Sequence, residues 1–214
     1  MELFRASLII IIFESKPMKW KLLNRQPAYA GFFKVDVCQV QHDLYAGGVI
    51  EVCRELFHRG DAVAVLLYDP VLDKVVMVEQ FRIGAIDDPN GPWLLEVVAG
   101  MMEQGESITD VAKRECQEET GLVVQAFVPV HSFYSSPGGC SERIHLLCAL
   151  VDCTQARGTH GVHHEGEDIR VSVLDFAEIE ILLHRQCITS AMPIIALQWL
   201  QLNRKRLRIE SFVL

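Results

Sequence analysis

Apolar positions along the chain change period several times, and each change predicts an element. The stretch "DAVAVLLYD" (61–69) is apolar at seven successive positions, the pattern of a strand covered on both faces. After the turn "DPVLDK", "VVMVEQFR" (75–82) completes a hairpin of central strands. Upstream, "GFFKVDVCQVQHDL" (31–44) alternates in part, with Phe33, Val35 and Val37 on one side. A Gly47–Gly48 turn then leads into a second strand around Ile50–Arg54. "WLLEVVAG" (93–100) reads as one further strand. Beyond it come strand-like "LVVQAFVPVHSFY" (122–134), the loop "SSPGGCSE", the strand "RIHLLCALV" (143–151), a polar loop from Asp152 to Asp168, and the strand "IRVSVLDF" (169–176). From about Phe176 to Arg208 apolar residues return at helical spacing, as in "AEIEILLHRQ" and "AMPIIALQWLQLN". The order predicts an α/β fold: a mixed β-sheet sandwiched between helices, preceded by a small N-terminal β module, rather than a doubly wound parallel sheet. We set the division at residues 1–59 and 60–214.

The mid-chain helix sits within "GMMEQGESITDVAKRECQEETGL" (100–122). Gly105 ends a turn, Ser107 or Thr109 can cap, and Gly121 closes, so the helix should run from Ser107 to Thr120. At about 100° per residue, Val111, Ala112 and Cys116 fall within about 80° of Ile108 and form a core-facing stripe. On the same count Glu115 and Glu119 each lie about 20° from Ile108, with Glu118 at the edge. Asp110, Lys113 and Gln117 take the opposite face. A glutamate-rich helix ordinarily turns its acids to water, yet here two or three of them share the buried face. Partly buried carboxylates at i and i+4 cost on the order of several kcal/mol unless a cation meets them. Arg114 is not placed to neutralise them all. Hard divalent cations are, and Mg²⁺ suits a site made of carboxylates and substrate phosphates.

Composition narrows the chemistry further. The 214 residues are 50% hydrophobic and 22% charged, a globular balance, with a formal net charge of -8. So acidic a chain is a poor binder of nucleic acid, and phosphate chemistry on it calls for metal cations. Seven cysteines, an odd number without a CxxC pair, point to reduced thiols and a cytoplasmic setting rather than a disulfide framework. The apolar run Leu8–Phe13 is too short to span a bilayer and is followed directly by Glu14. It reads as a buried strand or as a vector remnant, and neither export nor membrane association is expected. His160, His163 and His164 read as solvated loop residues, and "RKRLR" (204–208) as the exposed end of the last helix. Ser135 and Ser136 lie outside any GxSxG elbow and are not nucleophile candidates.

The helix segment resembles the Nudix box, G-x5-E-x7-R-E-U-x-E-E-x-G-U with U a bulky apolar residue. Gly100, Glu106, Arg114, Glu115, Glu118, Glu119, Gly121 and Leu122 occupy its fixed positions, and Cys116 stands where an aliphatic residue is usual. Nudix proteins hydrolyse nucleoside diphosphates linked to another moiety. From about Tyr29 to Leu202 the chain also resembles the bacterial ADP-ribose pyrophosphatase branch, in "FHRGDAVAVLLYDP", "VVMVEQFRIGA", "PWLLEVVAGMMEQGES", "SSPGGCSE", "EGEDIRV" and "IIALQWLQ". Pro137, fifteen residues beyond Leu122, is placed as in that branch.

The resemblance implies individual roles. The carbonyl of Ala99, with Glu115, Glu119 and Glu167, should bind Mg²⁺, with Mn²⁺ as an alternative. Arg114 and Glu118 join the catalytic set, and Glu165 resembles the general base that takes a proton from the attacking water. Arg54, Arg82 and Glu142 resemble holders of the substrate's phosphate and ribose groups. Phe32 is the aromatic expected near adenine, although Ala30 replaces a residue that is often basic in relatives. A homodimer built through the N-terminal module is implied as well.

The expected reaction is Mg²⁺-dependent hydrolysis of ADP-ribose to AMP and ribose 5-phosphate. A related sugar-nucleotide hydrolase, acting for example on GDP-mannose, is the alternative. A silent nucleotide-sensing module is a third reading, but silent versions tend to lose box glutamates and none is lost here.

Overall fold

The computed structural model describes residues 17–211, so the Leu8–Phe13 run lies outside the described residues. The chain divides into two compact units, Met1–His58 and Arg59–Leu214.

In the first unit, β1 (Trp20–Ala30), β2 (Lys34–Asp43) and β3 (Val49–His58) form an antiparallel sheet in that order. β2 and β3 hold one register from Lys34↔His58 to Asp43↔Val49. Their connection contains Gly47 and Gly48 at φ +90° and +83°, a left-handed region that glycine enters without steric cost. The sequence pattern did not announce β1. It is exposed along its whole length, so no buried alternation marks it. It also contains Pro27, and its register slips between Leu22 and Asn24 and between Pro27 and Tyr29. Among the described residues of this unit only Cys38 is buried, so the sheet has no core of its own.

The second unit is built on β4 (Ala62–Asp69), β5 (Lys74–Phe81), β6 (Trp93–Glu96), β7 (Val98–Met101), α1 (Ile108–Thr120), β8 (Val128–Tyr134), β9 (Arg143–Leu150), β10 (Gly158–His160), β11 (Ile169–Asp175), α2 (Phe176–His184) and α3 (Ala191–Ser211). Its sheet runs β10-β11-β5-β4-β9-β8, with β6 on β5 and β7 on β4. β4 and β9 are parallel, and the other pairs are antiparallel. Successive side chains of β4 go to opposite faces. Ala62, Ala64, Leu66 and Tyr68 pack with Phe176 and Ile179 of α2 and with Ala196, Leu197, Leu200 and Leu207 of α3. Val63, Val65 and Leu67 pack with Val111, Ala112 and Cys116 of α1. Both faces of β4 are therefore covered, as its unbroken apolar run demands, and the helices enclose the mixed sheet. Each fully buried aliphatic side chain there contributes about 1.5–3 kcal/mol.

Four features differ from the sequence expectation, the first being that strand-like 122–134 is a strand only over Val128–Tyr134. "WLLEVVAG" is two strands. β4 and β5 pair only from Leu67↔Val76 to Asp69↔Lys74, and the 93–101 segment occupies the gap between them. It pairs first with β5 (Val78↔Glu96) and then, beyond Val97, with β4 (Val65↔Val98). The polar stretch 152–168 holds the short strand β10 and two 3₁₀ turns, Cys153–Gln155 and His163–Glu165. Finally, "RKRLR" is not a solvated helix end. Leu207 is buried, and Arg204 and Arg208 both pair with Asp73 in the β4–β5 turn.

Candidate active site

Helix α1 starts where its caps dictate. The Ser107 side chain accepts from the Asp110 N–H, and Gly121, at φ +73°, closes the last turn through its N–H to the Gln117 carbonyl. The helical count then places Glu115 and Glu119 inward, and the structure leaves them only 8% and 2% exposed. Both lie against β7. Glu119 Oε2 accepts from the Ala99 N–H at 3.2 Å and Oε1 from Gln80 Nε2 at 3.4 Å. Glu115 rests on the bare backbone of Gly100, where an added Cβ would lie 1.6 Å from its Oε1.

Arg114 gathers the remaining acids of the box. Nη1 donates to Glu115 Oε1 at 2.6 Å and to Glu118 Oε2 at 3.2 Å. Nε and Nη2 make a fork on Glu106 at 3.2 Å each, and Nη2 also reaches the Met101 carbonyl at 3.3 Å. Burial works against the guanidinium charge, but these carboxylates, Glu106 foremost, hold its pKa above the ordinary value. Arg114 in turn draws the Glu106 pKa down.

One guanidinium does not settle the buried pair. Burial lifts Glu115 to about 7 against the pull of Arg114, with Glu118 and Glu167 adding to the rise. Glu119 is raised to about 8, first by burial and then by Glu115, while Arg82 and the Ala99 N–H oppose the rise. Glu167 acts on both carboxylates, so the loop after β10 brings a third acid into their field.

That loop is held by particular contacts. The Gly161 N–H donates to the Glu118 carbonyl at 3.0 Å, tying the loop to α1. The Val162 N–H donates to Glu167 Oε2 at 3.0 Å and aims that carboxylate. Gly161 has φ +104°, and a Cβ there would lie 2.8 Å from the Glu167 Cβ, so the close approach requires glycine. Glu165 sits at the tip of the same loop, 61% exposed and 3.7 Å from His164 Nε2.

Among the described residues no three acidic, histidine or cysteine side chains converge on a ready-made coordination point. Glu115 is drawn to Arg114, and Glu119 to Ala99 and Gln80. The donor chemistry nonetheless fits hard divalent cations: three oxygen-bearing acids share one field, two of them buried with their charged forms disfavoured. His160 lies against Gly121 and donates to the Arg157 carbonyl, while His163 and His164 are exposed.

The other sequence candidates have partners of their own. Arg82 Nε donates to Glu96 Oε2 at 2.7 Å. Glu142 is 5% exposed and paired with Arg59 at 3.3 Å. Arg54 and Phe32 belong to the N-terminal unit. The Arg54 guanidinium donates to the neighbouring Cys53 carbonyl at 2.8 Å, and Phe32, 86% exposed, stacks edge-on to Phe33.

Sequence reasoning passed over Gln80 and Glu96, which are 6% and 3% exposed. A signal for Gln80 existed, since it follows Val76 and Val78 at period two and so shares their buried face. Glu96 is one acid inside an apolar run.

The chain is similar to several known proteins. Residues 58–191 match the NUDIX domain family. The ADP-ribose pyrophosphatase of Escherichia coli K12 is 47% identical over 191 residues, covering 89% of this chain and 91% of that one. That of Haemophilus influenzae is 45% identical, covering 88% of each chain. A GDP-mannose pyrophosphatase of Cronobacter sakazakii is 37% identical over 73% of this chain and 82% of its own. Among solved structures, an ADP compounds hydrolase superposes with a TM-score of 0.68 at 20% identity, over 91% of this chain and all of the other. With the box complete and most of the second unit matched, the chain belongs to the NUDIX family.

Proposed function

We propose that the protein hydrolyses the diphosphate linkage of ADP-ribose, with Mg²⁺ as the working cation and Mn²⁺ as a substitute, giving AMP and ribose 5-phosphate. The observation that carries the hydrolytic reading is the burial of Glu115 and Glu119 side by side against Ala99 and Gly100. The substrate is supported by the names of relatives 47% and 45% identical over most of their length, the GDP-mannose pyrophosphatases being more distant.

In this reading Glu115, Glu119, Glu167 and the Ala99 carbonyl hold the cations. Cations bound there offset the diphosphate charge and acidify a water. Arg114 keeps Glu115 and Glu118 in place, and Arg82 grips a phosphate. Glu165 takes a proton from the water that attacks phosphorus as the bridging P–O bond breaks. Its exposed place at the loop tip suits a base that closes over bound substrate. Arg54, Phe32 and Glu142 keep their substrate-binding assignments from the resemblance.

The chain is taken to work as a homodimer through its N-terminal sheet, which exposes Trp20, Tyr29 and Phe32 and buries little of its own surface. Light scattering should then give twice the chain mass of 24.2 kDa. All seven cysteines are free thiols, which supports a reducing compartment such as the cytoplasm. No helix among the described residues is long and apolar enough to cross a membrane.

The test is incubation with ADP-ribose and Mg²⁺ followed by chromatography. AMP and ribose 5-phosphate are expected in equal amounts, and their absence at micromolar enzyme overturns the reading. A higher kcat/KM on GDP-mannose than on ADP-ribose decides for the alternative substrate.

A further inference from the structure

We propose that Glu96 is a positioning residue for substrate: by clamping one edge of the Arg82 guanidinium, it presents the other edge to the diphosphate. The proposal rests on the reading of the protein as a nucleoside diphosphate hydrolase and assigns a task to a buried acid outside the Nudix box.

The strand register brings the parts together. On β5, Val78 belongs to the core on the α1 side of the sheet, so Gln80, two residues on, shares that face. Arg82 follows with extended backbone, φ -126° and ψ 110°, and its N–H continues the ladder to the Pro92 carbonyl at 2.8 Å. It therefore also faces α1. Glu96 stands opposite Val78 on β6. Gln80 Nε2 bonds Glu119 Oε1 at 3.4 Å, which fixes this edge of β5 beside the acids of α1. The opposition of Arg82 to the raised pKa of Glu119 agrees with that proximity.

The chemistry of the pair is asymmetric. Glu96 is 3% exposed, a carboxylate that needs a cation, and Arg82 supplies it through Nε at 2.7 Å. The Arg82 side chain is 34% exposed, and among the described residues Nη1 and Nη2 have no partner. A guanidinium held at Nε by a buried acid is restrained, while Nη1 and Nη2 remain available as the fork that matches phosphate oxygens. Here the buried partner is the acid and the solvent-reaching partner is the fork. Fixing the fork in advance removes the side-chain ordering that binding would otherwise cost.

The experiment is a cycle read by ADP binding in calorimetry with Mg²⁺ present, alongside steady-state kinetics on ADP-ribose and thermal melts. Glu96→Ala and Glu96→Gln are compared with wild type and with the same changes in an Arg82→Ala background. Glu96→Ala is expected to weaken ADP binding about tenfold and to raise KM more than it lowers kcat. Glu96→Gln, which still accepts the Nε–H, should recover part of the loss. In the Arg82→Ala background either Glu96 change should alter ADP affinity less than about twofold, because the residue it acts through is gone. If Arg82→Ala does not fold, Arg82→Lys, which keeps the charge without the fork, takes its place. Wild-type ADP affinity in folded Glu96→Ala and Glu96→Gln overturns the proposal, as does an undiminished Glu96 effect without Arg82, or a wild type that binds no ADP. A wild type that binds ADP but does not cleave ADP-ribose instead overturns the substrate assignment and leaves the clamp standing.

Discussion

The Glu115 carboxylate lies so close over Gly100 that a single methyl group there would displace it: an added Cβ falls 1.6 Å from Oε1 and 1.9 Å from Cδ. Gly100 does not have positive φ, so alanine strains no backbone at that position. Gly100→Ala should therefore act by evicting Glu115. We expect kcat/KM to fall by about a hundredfold or more, as when a reacting group is misplaced by about an ångström. Binding of Mn²⁺, followed by electron paramagnetic resonance, should weaken in parallel while the melting temperature moves by only a few degrees. Near-normal kinetics in the variant would detach Glu115 from the chemistry.

Without metal the protein should lose stability as pH rises. Burial raises Glu115 to about 7 and Glu119 to about 8, whereas in the unfolded chain both titrate near the usual glutamate value of about 4.3. The folded state thus binds more protons across that interval, and stability falls with pH until both groups have ionised. Melting curves in chelator should drop between about pH 4.5 and 8, and Mg²⁺ should recover most at the alkaline end. Glu119→Gln should abolish turnover and make the chelator profile shallower, ending near pH 7 because Glu115 still titrates there. A flat profile in the wild type would contradict the burial argument.

At the loop tip, Glu165→Gln removes the proposed proton acceptor without touching the anchored Glu167. The expected loss in kcat is about 10²–10⁴-fold, with little change in KM. Unchanged kcat would remove Glu165 from the base role.

How much of this could be read from the chain depends on periodicity. The inward turn of Glu115 and Glu119 was legible because a capped thirteen-residue helix fixes every side chain by a single angle. The β4 strand was legible because an unbroken apolar run leaves few alternatives. β1 was not, since a strand exposed throughout carries no buried alternation. Nor was the crossing at Val97: a strand that changes partner midway reads the same as one that does not. Arg204 and Arg208 looked like a solvated helix end because their partner, Asp73, lies more than 130 residues upstream.

That same turn gives a stability test. Asp73 accepts from Tyr68 Oη and Arg204 Nε, each at 2.7 Å, and pairs with Arg208 Nη1 at 2.7 Å, while Arg204 covers the Phe176 ring. Its backbone is left-handed, φ +60°, a conformation asparagine also tolerates. Asp73→Asn therefore removes charge and little else, and should cost about 1–3 kcal/mol in denaturant unfolding at neutral pH. Arg204 foremost holds the Asp73 pKa below its ordinary value, against the opposing effect of burial. The contribution is thus complete above the unfolded-state value and disappears as pH falls through the lower folded one. The variant and the wild type should converge in acid.

The contacts of residues 161–167 treat two acids differently along a few residues of chain. One acid is held by the Val162 N–H in a loop that Gly161 ties to α1, and the other rides on a tip where, among the described residues, its side chain meets only a neighbouring histidine. The exposed positions beside Glu165 can therefore vary while the fastened end stays as it is. Exposed His163 and His164 can thus change without rebuilding the acidic nest beneath them.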